Sequence, residues 1–105
     1  MTKNDCVASI ATALTSASHW RASLDNRFPD HRNARAARLL AKLAGETPSL
    51  SEEQWAALAP FVGSPAWGEA LKRAARLVGF HRRRMSLGYF LRSLARLLEA
   101  PATGV

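Results

Sequence analysis

Four adjacent potential cations, His81, Arg82, Arg83 and Arg84, are the residues whose types and spacing speak most directly to chemistry. Neighbouring guanidiniums present planar donor forks that match phosphate oxygens, so such a run grips a polyanion rather than making or breaking a bond. The nearest acids along the chain are Glu69 and Glu99, and a bound anion would relieve the run's self-repulsion. The plainer reading is a solvated connection between two helices. A second basic set, Arg32, Arg35, Arg38 and Lys42, has spacings of three, three and four, which line it along one helix face. Were the two sets neighbours, five phosphate contacts would give duplex DNA binding a log–log salt slope of roughly −4.5. A row of arginines on an amphipathic helix is also what an ordinary solvated face looks like.

Other chemistry finds little support. The chain has no Gly-rich phosphate loop, no HExxH pair and no paired-cysteine zinc spacing. His19, His31 and His81 are far apart in sequence, and Asp25 and Asp30 read as a turn residue and a helix cap rather than a carboxylate pair. Cys6 is the single cysteine, so an intramolecular disulfide is ruled out and a reducing cytoplasm is expected. No enzyme activity, cofactor or metal is expected. Trp20, Trp55 and Trp67 could stack on bases, but their helical positions place them inward as core anchors.

The elements that would position these groups are helices. Val7, Ile10, Leu14, Ala17 and Leu24 form one stripe of a first helix over about 5–24, with Asn4 or Asp5 as its cap. Its other face is Thr and Ser, without a charge between Cys6 and Arg21 when His19 is neutral. That is unusual for a solvated helix, and points to cover from the fold or from another subunit. After a loop around Pro29, with Asp30 as a cap, a second helix starts near His31, carries the basic row and ends at a left-handed Gly45. Ser51 and Gln54 form a capping box for a third helix, closed by Gly63. Ser64 and Pro65 should open a fourth helix, and Ser86 should cap a fifth that runs to Ala100. A break is expected between Gly79 and Ser86, since glycine inside a helix costs about 1 kcal/mol. Ala75, Gly79 and Phe80 imitate a helix-turn-helix, whose second helix would run from Arg82 to Leu91.

These elements predict an all-α, compact bundle of four or five short helices in one domain over 1–105, with frayed ends at about 1–3 and 102–105, and with a C-terminal pair open to a helix-turn-helix-like reading. With 15 basic and 8 acidic residues the net charge is +7, which favours anionic partners. The leading expectation is a regulatory or accessory nucleic-acid-binding protein, with His81, Arg82, Arg83, Arg84, Arg32, Arg35, Arg38 and Lys42 as its contacts. The alternative is a helical interaction module that takes an acidic protein partner or forms a homodimer through apolar surface. The mildly apolar N-terminal segment is not expected to be an export signal, because Asp5, Thr12 and Ser16 interrupt it. No apolar run reaches the roughly 18 residues of a membrane span.

Overall fold

The computed structural model describes residues 2–24, 29, 31–78 and 85–99. They form five α-helices and no strand: α1 (Lys3–Ser23), α2 (Arg32–Glu46), a 3-10 turn (Thr47–Ser49), α3 (Glu52–Leu58), α4 (Trp67–Leu77) and α5 (Leu87–Glu99). This is the expected all-α bundle.

The helix ends show where side chains chose the boundaries. Thr2, not Asn4 or Asp5, caps α1: its hydroxyl accepts the Asp5 N–H at 3.1 Å while the Asp5 carboxylate accepts the Thr2 N–H at 2.8 Å. Two otherwise orphaned donors are satisfied reciprocally, so Lys3 lies inside the helix rather than in a frayed end, and its ammonium meets Glu52 at 2.7 Å. Those two hydrogen bonds hold the Asp5 carboxyl below the usual carboxylate range, the Thr2 backbone bond contributing most. Gly45 does not end α2. The helix continues to Glu46, and the buried Thr47 hydroxyl donates to the Leu43 carbonyl at 3.0 Å while Leu50 is carried into the core.

Ser51 caps α3 as expected, with the Ser51–Gln54 pair bonded in both directions. Gly63 takes φ 84° in the turn that follows, a backbone region glycine enters without steric cost. Ser64 does not cap α4. The chain makes one more turn, the Ser64 carbonyl accepts the Trp67 N–H at 3.1 Å, and Ala66 occupies the cap position. That delay seats Trp67 in the core, where its indole N–H donates to the Ser9 hydroxyl of α1 at 3.2 Å. α4 stops at Leu77, Val78 is extended, and the Ser86 hydroxyl accepts the Tyr89 N–H at 3.1 Å to open α5. The two C-terminal helices are therefore separate. The expected helix over Arg82 to Leu91 is not continuous: Arg82 to Arg84 lie outside the described residues, Met85 and Ser86 are non-helical, and α5 begins at Leu87. Its Phe90, Leu91 and Leu94 are given to the core, and its outer side carries the exposed Arg92 and Arg96.

All five helices feed one apolar cluster, whose deepest members include Ile10, Leu14, Leu40, Leu43, Phe90 and Leu94. α1 is central. It lies most extensively against α2, and α4 packs on it from another side. Ala17, Ala36 and Ala37 are small buried residues of these two helices, and the buried Ser18 hydroxyl donates to the Ala37 carbonyl at 2.7 Å between them. α5 joins α3 and α4 at the far side.

The two serines separate cap from non-cap quantitatively. Ser51→Ala removes a working cap and should cost about 1 kcal/mol. The Ser64 hydroxyl is buried without a hydrogen-bond partner among the described atoms, so Ser64→Ala should be neutral or stabilising. Urea denaturation of both variants checks this; a loss at Ser64 equal to that at Ser51 would contradict the observed start of α4.

Candidate functional site: a groove between the first and fourth helices

The stripe of α1 that enters the core is Cys6, Ile10, Leu14, Ala17, Ser18 and Arg21. Its uncharged opposite side, carrying Ala8, Thr12 and Ser16, is exposed. Along this side runs a groove of about 740 Å³, walled by α1 from Asp5 to Trp20 and by α4 from Gly68 to Arg76. Trp67 meets Ser9 at one end, and at the other the Arg76 guanidinium lies 5.3 Å from the Trp20 ring centroid. The two helices therefore run in the same direction beside the groove. Its floor and α1 wall are alanine, serine and threonine with Leu71; its charged groups are Asp5 at one end, Arg76 at the other and Lys72 between them.

Trp20 departs from its expected place in the core. It is 37% exposed, whereas Trp67 is 6% exposed and Trp55 is half-buried against the core. The inward stripe of α1 reaches Arg21 instead, 3% exposed, and the preceding residue is turned by about 100° toward the groove. Both Arg76 and Arg21 lie within cation–π range of the Trp20 ring, the latter at 5.9 Å. Burial, and then the like charge of Arg32, lower the pKa of Arg21.

The basic row of α2 is a separate surface. Ala36, Ala37, Leu40 and Leu43 turn inward, and Arg32, Arg38 and Lys42 are exposed on the outward side with Arg35 half-buried among them. No residue of α2 lines the groove. His81, Arg82, Arg83 and Arg84 lie outside the described residues, so their placement relative to this row is not part of the site described. A second hollow, about 310 Å³, opens between α4 and α5 beside Leu77, half of whose surface is exposed.

Sequence reasoning singled out the uncharged face of α1, which the fold leaves exposed rather than covered, but not Trp20, Lys72 and Arg76 as groove residues. The signal for Trp20 was its place one residue before the position where the inward stripe recurs. Among the described residues no three His, Cys, Asp or Glu side chains gather as metal ligands would, and no helix is long and apolar enough to cross a membrane. No known protein family, curated protein or solved structure matches the chain.

Cys6 lies fully inside the core, and burial pushes its thiol up to about 11. It should resist DTNB at pH 8 in the folded protein and react promptly in guanidinium, because the thiolate is the nucleophile. The raised pKa also fixes a sign. This contribution to stability is intact below pH 9 and is lost as pH rises toward 11, because the unfolded thiol releases its proton first. Cys6→Ala should flatten that alkaline loss in thermal melts; unchanged curvature would assign it elsewhere.

Proposed function

We propose that this protein is a small helical interaction module that receives a helix of a protein partner in the groove between α1 and α4. The observation that carries the reading is a groove of about 740 Å³ with a helix face free of charge as its longer wall. Solvated helix faces are normally charged, and an apolar groove beside a half-open tryptophan matches the way amphipathic helices are bound. The chain's charge of +7 would speed encounter with an acidic partner rather than set its affinity.

A second reading, nucleic-acid binding, has its own observation in the exposed row Arg32, Arg38 and Lys42 on the outward side of α2. Such contacts would hold phosphates without reading bases.

Two measurements divide the readings. With Ser16→Arg, which fills the groove with a charge, partners retained by the immobilised wild-type protein should be lost while the melting temperature holds. Identical retention by both proteins would remove the groove from the interaction. For nucleic acid, anisotropy with a random duplex should show steep salt dependence, reduced by the Arg38→Ala, Lys42→Ala pair and by replacing Arg82, Arg83 and Arg84 with alanine. Absence of binding even at low salt would end that reading.

A further inference from the structure

We propose that the helix filling this groove is α1 of a second copy of the chain, lying antiparallel to the first about a two-fold axis near Thr12. The proposal rests on reading the groove as a helix-docking site, and names its occupant.

From Asp5 to Trp20 the groove follows about 22 Å of helix, and between Asp5 and Trp20 its α1 wall carries no charged residue, so a helix face that is uncharged over most of that length fits it. Within this chain one described helix offers such a face. Exposed charges mark the others: Arg38 and Lys42 on α2, Glu52 and Glu53 on α3, Lys72 and Arg73 on α4, and Arg92 and Arg96 on α5. The side of α1 carrying Ala8, Thr12 and Ser16 is the exception, and a two-fold axis sets the same patch against itself.

The ends of the groove choose the direction. Asp5 stands at one end and Arg76 at the other. Antiparallel helices bring each Asp5 to the other copy's Arg76, whereas parallel ones would oppose aspartate to aspartate and arginine to arginine. Size gives the same answer. The bulky, exposed Trp20 lies at the Arg76 end, and the Asp5 end is floored by Ala8 and Gly68. A Cβ placed on Gly68 would meet nothing within 4 Å, so the single chain has no packing need for glycine there. The space beside it is open to an approaching indole. Against association stand the +7 charge of each copy and the two Lys72 side chains near the axis. Four turns of helix also fall short of a standard interface, so the dissociation constant should be micromolar rather than nanomolar.

Sedimentation equilibrium of the full chain, from about 1 to about 300 µM to bracket a micromolar constant, should show a monomer–dimer equilibrium. Thr12→Arg sets two guanidiniums face to face at the axis and should weaken association by about a hundredfold or more without changing the circular dichroism melt. Thr12→Cys should oxidise to a covalent dimer, because residues beside the axis come within disulfide reach. Ser16→Cys should not, since four residues from an antiparallel axis the two copies are about 12 Å apart. Equal cross-linking by both cysteines would overturn the antiparallel arrangement. A wild-type monomer throughout the range would overturn the self-docking. In that case, partners retained by wild type and lost by Ser16→Arg would leave the helix-docking reading standing, and equal retention would remove both.

Discussion

The packing of α1 against α2 is the contact on which the rest of the structure depends. It is the most extensive among the described residues, and Ala17, Ala36 and Ala37 are buried on its two helices. The buried Ser18 hydroxyl donates to the Ala37 carbonyl, a directional contact that favours one register of two helices that alanines alone would leave freer to slide. Ile10 and Leu14 of α1 and Leu40 and Leu43 of α2 belong to one buried cluster, to which the remaining helices contribute. Deep burial of each such side chain is worth about 1.5–3 kcal/mol, so the few residues of this seam outweigh any surface ion pair in the molecule, which at its exposed best is worth about 1 kcal/mol or less.

The same seam explains the groove. α1 has one helix circumference to share among α2, α4 and solvent. Its inward stripe is claimed by α2 and the core, and α4 touches it through Trp67 and the small residues beyond, leaving the side of Ala8, Thr12 and Ser16 outside. Nothing in the core requires that side to lack charge. Its composition therefore demands a reason outside the single chain's own packing, and that is why the groove, more than the basic surface, carries the functional reading. A basic face is tolerated by water, and an uncharged one four turns long is unusual in it.

Periodicity made the helices and most of the core legible in the sequence: Ile10, Leu14, Leu40, Leu43, Phe90, Leu91 and Leu94 are all where their spacing placed them. The Ser51–Gln54 box, the turn glycine at 63 and the separation of the two C-terminal helices were legible for the same local reasons, although α4 ends at Leu77, ahead of the expected interval between Gly79 and Ser86. What was not legible depended on competition between near-equivalent choices. Thr2 outcompeted Asn4 and Asp5 because a reciprocal box satisfies two donors where a single cap satisfies one. Ser64 lost its cap to the demand of Trp67 for Ser9, a tertiary contact 58 residues away in sequence. Trp20 and Arg21 exchanged their expected environments because one residue of drift along a helix moves a side chain about 100°. The groove depended on which side α4 would take on α1, and spacing within either helix alone is silent on that.

The basic row and the groove occupy different sides of the molecule, and this separation has a consequence for how the two readings relate. α2 covers one flank of α1 and turns Arg32, Arg38 and Lys42 outward, while the groove opens along another and includes no α2 residue. A helix held in the groove would leave the α2 row exposed, so the two kinds of binding do not compete for the same atoms. Pairing through α1 would place two such rows on one assembly, each too sparse to hold a polyanion firmly but linked at a fixed separation. If such rows bind phosphate, two of them joined in that way would gain avidity from the linkage rather than from any new contact. Self-association through a neutral face is thus the arrangement under which this chain's modest basic row would count for most.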